Sequence, residues 1–97
     1  MPHYVVLLKF TEQGVKTVKD APARIEALTK ATDAMGGKLG AVFVTMGQYD
    51  YVLFGEAPSD EAAAAMSLVM SSGGNVTCET LRAFTVAEFA AIVKKLP

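Results

Sequence analysis

The stretch His3–Phe10, which reads HYVVLLKF, decides the fold of this chain. It is rich in valine and aromatic residues, which favour a strand. Apolar side chains occupy both alternating sets: Tyr4, Val6, Leu8 and Phe10 in one set, Val5 and Leu7 in the other. This pattern is typical of a strand that is buried on both faces of a sheet.

Glycine pairs and capping residues divide the rest of the chain into further elements. Asp20 is placed to cap a helix that has Pro22 in its first turn, and Thr85 and Glu88 have the spacing of a capping box. Gly47-Gln48 has the spacing of a two-residue hairpin turn. The predicted elements are a helix from Asp20 to Met35, strands over Leu39–Met46 and Tyr49–Ala57, a helix that Pro58 opens and Gly73 closes, a strand over Val76–Phe84, and a helix from Thr85 to Leu96.

Each of the first two predicted helices carries one apolar stripe that should face a sheet. The segment Thr11–Lys19 has mixed polar composition interrupted by Gly14, and we predict no helix or strand there. The stripes are Ile25, Leu28, Thr32 and Met35 in the first helix, and Ala62, Ala65, Met66 and Val69 in the second.

The order of these elements predicts an α+β fold of the ferredoxin-like kind, β-α-β-β-α-β, with an extra C-terminal helix. Right-handed crossovers put the first two helices on one face of a four-stranded antiparallel sheet and place strands one and three at its centre. A chain of 97 residues is the size of one domain, so we expect a single domain over residues 1–97.

Two helices can cover only one face of such a sheet. Yet strand three is also apolar on both sets, with Tyr51 and Leu53 in one and Val52 and Phe54 in the other. An antiparallel sheet with one wet face should alternate apolar and polar residues. We therefore expect the C-terminal helix to cover part of the second face and another copy of the chain to cover the rest, as a homodimer or larger homo-oligomer.

Composition excludes several classes of function. Nine basic and ten acidic residues give a net charge of -1, which argues against a nucleic-acid partner and against a polybasic membrane contact. One histidine, His3, and one cysteine, Cys78, cannot form a zinc cluster, and no glycine motif for a phosphate-bearing cofactor is present. We predict no metal site and no cofactor. The N-terminus lacks a signal peptide pattern, so we expect a cytoplasmic protein.

The string Gly47-Gln48-Tyr49-Asp50 is the most unusual short motif. It could present a phenol and a carboxylate at the rim of a pocket, although turn and strand preferences also explain it. Strand alternation puts Tyr49 and Asp50 on opposite faces unless a bulge intervenes. Central pairing of strands one and three brings Lys9 beside Asp50, so we predict an ion pair between them.

The opposite end of the sheet should hold a second polar group. There the same pairing brings His3 close to Glu56 on one side and to Arg82 on the other. A lone terminal histidine is more often solvated than functional, and Cys78 is best explained as a small core residue. The candidate ligand-binding residues are His3, Lys9, Tyr49, Asp50 and Arg82, and no catalytic residue is assigned.

Three segments of the chain carry a family resemblance: Tyr4–Gly14, Thr45–Asp50 and Glu79–Thr85. They resemble the GYD domain family, whose name describes a Gly-x-Tyr-Asp element, here Gly47, Tyr49 and Asp50. The resemblance spans essentially the whole chain and implies a ferredoxin-like domain of the dimeric α+β barrel kind, but it brings no established reaction and no proven catalytic residues.

Two classes of function follow from this sequence. The first is a small-molecule-binding or assembly module, a homo-oligomer whose paired sheets enclose a small pocket. The second is a cofactor-free enzyme of the oxygenase or isomerase type, by analogy with other dimeric α+β barrels, with Asp50, Tyr49, Arg82 or His3 as its acid or base. The module is favoured because few side chains of the chain suit catalysis.

Overall fold

The computed structural model describes all 97 residues, Met1–Pro97. It is an α+β fold with the predicted ferredoxin-like order and C-terminal helix, and it adds one short helix after the first strand. The elements are β1 (His3–Phe10), α1 (Glu12–Lys16), a single 3-10 turn (Val18–Asp20), α2 (Ala21–Ala34), β2 (Lys38–Val44), β3 (Tyr51–Glu56), α3 (Asp60–Ser72), β4 (Val76–Ala83) and α4 (Val86–Val93).

The four strands form one antiparallel sheet in the order β2-β3-β1-β4. The prediction that strands one and three are central is therefore confirmed. Val6 of β1 lies opposite Leu53 of β3 and Thr80 of β4. A bulge at Gly40 interrupts the pairing of β2 with β3.

The core lies between the sheet and the two long helices, α2 and α3. Leu8 is 2% exposed, and Val6 and Leu53 are buried beside it. Ile25 and Leu28 of α2 pack against this cluster, as predicted from their helical spacing. Only 11 of the 97 residues are buried, so one chain alone encloses a thin core.

The short helix α1 follows from local chemistry that the apolar pattern does not reveal. The Thr11 hydroxyl caps the helix by accepting from Gly14 N at 3.1 Å, and it donates to Gly74 O at 2.5 Å. A Cβ on Gly14 would lie 2.0 Å from Asn75 O, so only glycine fits there. Five residues are too few for a readable apolar stripe, which is why we predicted no helix in this segment.

Two details of the helix predictions are wrong. Asp20 stands at the N-cap position of α2, but its side chain makes no capping hydrogen bond because the preceding 3-10 turn holds its backbone in a helical conformation. In α3 the buried positions are Ala63 and Met66, whereas Val69 of the predicted stripe is 49% exposed. The alanine run Ala62–Ala65 spans a full helical turn and places an apolar residue on every side of it, so the pattern could not identify the buried face.

The connection between β2 and β3 is longer than the predicted two-residue turn. It spans residues 45–50, and β3 begins at Tyr51 rather than at Tyr49. Thr45 N donates to Asp50 O at 2.8 Å, and the Thr45 hydroxyl donates to Tyr49 O at 2.6 Å. Gly47 has a φ of +104°, a conformation that favours glycine. These bonds close a compact loop that carries the Gly-x-Tyr-Asp motif.

The C-terminal helix α4 begins with the predicted capping box. Glu88 N donates to the Thr85 hydroxyl at 3.1 Å, and Thr85 N donates to Glu88 Oε1 at 2.8 Å. No residue of α4 is buried. The chain measures 52 × 30 × 18 Å, with a radius of gyration of 14.6 Å, against about 12.5 Å for a compact chain of this length. The expectation that α4 covers part of the second sheet face is therefore wrong for a single chain.

Candidate functional site

The sheet face opposite α2 and α3, which we call the open face, is apolar across all four strands. Strand pairing brings Val5 between Phe54 and Leu81, and it brings Phe43 beside Val52. No helix of the same chain covers these side chains. Phe43 is 59% exposed, Phe54 43% and Leu81 42%. The open face consists of Val5, Leu7, Ala41, Phe43, Val52, Phe54 and Leu81.

One end of the open face carries a polar cluster built around Tyr49. Its hydroxyl donates to Glu79 Oε2 at 2.7 Å, and Lys9 Nζ lies 5.4 Å from the centre of its ring. The hydrogen bond to Glu79 raises the pKa of the Tyr49 phenol, so the phenol stays protonated at neutral pH. Tyr49 thus links the β2–β3 loop to β4 across the end of β1.

Asp50 is turned into the backbone of the sheet rather than toward Lys9. Its Oδ2 accepts from Phe10 N at 2.7 Å, and its own N donates to Leu8 O at 2.8 Å. The predicted ion pair between Lys9 and Asp50 does not form, although the pairing of β1 with β3 is as predicted. The physical reason is that the carboxylate satisfies a backbone donor at the end of β1, and such charge-assisted bonds are stronger than exposed ion pairs.

The other end of the open face contains His3 and Glu56. Their side chains approach to 3.9 Å between Nε2 and Oε1, as predicted from strand pairing. Together with Val5, Phe54 and Ala83 they line a shallow depression of about 180 Å³. His3 is six residues from Lys9 along β1, so the two polar ends lie about 20 Å apart.

Arg82 lies near His3, as predicted, but its guanidinium belongs to a different cluster. It donates to the His3 carbonyl at 3.4 Å, while its charged group lies 4.5 Å from the Phe84 ring centre and 5.7 Å from that of Tyr4. Arg82 Nε lies 3.7 Å from Asp60 Oδ1, to which the Tyr4 hydroxyl also donates, at 2.5 Å. Arg82 thus ties the end of β4 to the start of α3.

The five candidate residues are therefore distributed over the sheet rather than gathered in one place. Lys9 and Tyr49 lie at one end of the open face, and His3 lies at the other. Asp50 bonds to the backbone at the end of β1, and Arg82 pairs with Asp60 at the start of α3. No set of three or more histidine, cysteine or carboxylate side chains converges as a metal site would require. Cys78 packs against the core as predicted, and burial raises its pKa.

Sequence reasoning missed the exposed apolar surface of α4 and the segment leading to it. We expected these side chains to be covered within the chain, yet Phe84 is 53% exposed, Phe89 59% and Leu96 66%. The signal was present in the helix itself, since Val86–Val93 contains one charged residue among eight. Helices this apolar are usually packed against another surface, and no surface of the same chain buries α4.

The comparison with known families agrees with this architecture. The GYD domain model matches residues 4–93. The chain belongs to the GYD domain family. The loop that holds Gly47, Tyr49 and Asp50 is the family's naming element in this chain, and here it closes the β2–β3 connection against β1.

One relative of this GYD domain has a descriptive name. The chain is 32% identical over 95 residues to the "Glutamine synthetase and cystathionine beta-lyase binding protein" of Thermus thermophilus. The alignment covers 97% of this chain and 100% of the relative. No solved structure matches the chain at a significant level. None of its helices has the length and apolar character needed to cross a bilayer.

Proposed function

We propose that this GYD domain is an assembly module that forms a homodimer and binds other proteins, metabolic enzymes in particular. The observation that carries the proposal is the open face, where large apolar side chains such as Phe43 and Phe54 are left half exposed by the chain's own helices. Contiguous apolar patches of this kind mark protein interfaces. The name of the Thermus thermophilus relative, which describes binding to two enzymes, supports protein partners.

The helix α4 supports self-association through the open face. Isolated helices shorter than about 12 residues are marginal in water, and α4 has 8 residues, none of them buried. Its stability therefore calls for a partner surface. The open face of a second copy offers one, since Phe89 and Ile92 on α4 and Phe54 on the sheet are all apolar and exposed. In this arrangement α4 of each protomer lies against the other protomer.

The charges at the ends of the open face also favour a second copy. One end carries Lys9 and Glu79, and at the other Lys38 lies opposite Glu56 in the strand pairing. Each end thus has both signs of charge. Two copies can pack their apolar centres together and still find a charge of opposite sign at either end, whereas a surface with one sign of charge would repel itself.

Light scattering on the purified chain tests the dimer. Wild type should have about twice the mass of one chain at micromolar concentration, and Phe54→Lys should become monomeric because it places a charge in the apolar centre. Leu68→Lys is the matched control, because Leu68 is 72% exposed on α3, away from the open face. A monomeric wild type, or a Phe54→Lys variant that stays dimeric, would contradict this part of the proposal.

Binding to enzymes needs a separate measurement. Biolayer interferometry with immobilised glutamine synthetase and, separately, cystathionine beta-lyase should give saturable binding of the wild-type chain to at least one of them. Bovine serum albumin immobilised on a parallel sensor controls for non-specific binding. If the protein is dimeric but binds neither enzyme, the proposal of self-association is retained and the proposal of these enzyme partners is contradicted.

A further inference from the structure

An apolar cleft lies between α2 and α3, on the side of the sheet opposite the open face. It has a volume of about 290 Å³, close to the lower limit of typical small-molecule sites. The cleft is separated from the open face by the full thickness of the sheet. Leu8, Tyr51 and Leu53 form its floor, Ile25 and Leu28 line it from α2, and Met70 lines it from α3.

The hydroxyl of Tyr51 is buried and makes no hydrogen bond of normal geometry. The Arg24 side chain beside it carries only donors and cannot accept the hydroxyl proton. The residue is 6% exposed, and its ring packs edge-on against Phe10 with the centres 5.0 Å apart. Buried hydroxyls in native proteins nearly always have a partner, because an unsatisfied one is destabilising. Phenylalanine would supply the same packing without this penalty, so the hydroxyl itself calls for a bound group.

The Arg24 side chain lies beside this hydroxyl at the edge of the cleft. Arg24 Nη1 donates to Thr17 O at 3.0 Å and Nη2 donates to Gly14 O at 3.3 Å, which holds the guanidinium in position. Burial raises the pKa of the Tyr51 phenol, and the charge of Arg24 opposes this rise. A neutral donor and a fixed cation thus meet at one corner of an apolar cleft.

We propose that this cleft binds an amphipathic organic acid, with its apolar body between α2 and α3 and its carboxylate bound by the Tyr51 hydroxyl and Arg24. A carboxylate is the group that satisfies both donors at once, because it accepts several hydrogen bonds and carries the charge opposite to that of a guanidinium. The apolar walls at Leu28 and Met70 select a hydrocarbon or aromatic body. The site does not include any residue of the open face, so this proposal can be tested independently of the proposed assembly function.

Calorimetric titration with decanoate and with 1-decanol tests this assignment. Decanoate should bind saturably and at least tenfold more tightly than the alcohol, which has the same chain but no charge. Tyr51→Phe should weaken decanoate binding about tenfold to a hundredfold through loss of a hydrogen bond to a charged group, with little change for decanol. Tyr49→Phe, which removes a phenolic hydroxyl at the open face instead, should bind decanoate like the wild type.

A second variant tests the location of the site. Ala31 lines the cleft from α2, so Ala31→Phe should fill it and abolish decanoate binding while circular dichroism shows a folded protein. The proposal is overturned if wild type binds no decanoate, if decanol binds as tightly as decanoate, or if Tyr51→Phe binds decanoate unchanged. A folded Ala31→Phe variant that still binds decanoate overturns it as well.

Discussion

Both faces of the sheet have an apolar centre, but the two centres differ in how they are covered. On the helix side, Val6, Leu8 and Leu53 are 2–5% exposed beneath α2 and α3. On the open face, Phe43 of β2 is 59% exposed and Phe54 of β3 is 43% exposed, because no helix of the chain lies over them. The difference teaches that an apolar strand pattern identifies surfaces that must be covered, without identifying whether the same chain or another molecule covers them.

The helices divide in the same way. α3 is held to the sheet by Met66 in the core and by a 2.6 Å hydrogen bond between the Ser67 and Thr80 hydroxyls. α4 is the more apolar helix, yet it buries nothing within the chain. The open face and α4 are thus two uncovered surfaces of similar chemistry, and joining them between two copies would remove both from water.

The largest expected effect comes from adjacent leucines on opposite faces. Leu8→Ala should lower the free energy of unfolding by about 2–5 kcal/mol, because it removes a fully enclosed side chain and leaves a cavity. Leu7→Ala should cause a smaller loss that depends on protein concentration, since Leu7 lies on the face that the proposed dimer would cover. Urea titrations at two protein concentrations measure both. If both variants lose the same free energy of unfolding at both protein concentrations, the proposed difference between the two faces is contradicted.

The next effect concerns the loop that anchors the end of β1. Asp50→Asn should lower the free energy of unfolding by about 1–3 kcal/mol, since the bond from Phe10 N to Oδ2 loses its charge assistance. Thermal melts measure this loss, with the exposed Asp33→Asn on α2 as a control that should change little. A stable Asp50→Asn variant with a lost ligand or partner would instead make the motif functional rather than structural.

A smaller effect of opposite sign is expected inside the helix-side cleft. Without ligand, Tyr51→Phe should raise the free energy of unfolding by about 1 kcal/mol, because it removes a buried hydroxyl that has no partner. Tyr49→Phe removes a hydroxyl bonded to Glu79 and should not stabilise the protein. Denaturant titrations of both variants are the measurement. A destabilised Tyr51→Phe would indicate that the hydroxyl has a partner in solution.

The smallest effect is a pH dependence at the start of α4. The hydrogen bond from Thr85 N lowers the pKa of the Glu88 carboxyl. The folded pKa is thus below the unfolded value of about 4.3, so the cap stabilises α4 above that pH and loses its effect as the pH falls through the folded pKa. Far-UV circular dichroism from pH 7 to 3 should show wild type more helical than Glu88→Gln at pH 7 and equal to it at pH 3. A difference in helicity between wild type and Glu88→Gln that stays the same from pH 7 to pH 3 would contradict this prediction.

Much of the fold could be predicted because its signals are local. The two-sided apolar pattern of His3–Phe10 predicted a central strand, and the Thr85 and Glu88 spacing predicted the start of α4. The buried face of α3 could not be predicted, because the run Ala62–Ala65 makes several faces equally apolar. α1 was missed because it depends on contacts of Thr11 and Gly14 with Gly74 and Asn75, about 60 residues away in sequence.

The candidate site was less predictable than the fold. Strand pairing correctly placed His3 beside Glu56, because register determines such neighbours. It could not show that Asp50 would bond to Phe10 N instead of Lys9, since that depends on the shape of the loop over residues 45–50. Nor could alternation show that the Tyr51 hydroxyl would lack a partner, because the pattern says only that the side chain faces the core.

Contacts between protomers across the open face test the central claim most directly. In a mixture of isotope-labelled and unlabelled chains, isotope-filtered nuclear Overhauser spectra detect only protons of different molecules that lie close together. The account predicts cross-peaks from the rings of Phe54 and Phe89 of one protomer to methyl groups of Val5, Leu7 and Val52 of its partner. A spectrum without such cross-peaks, together with the mass of a single chain, would contradict it.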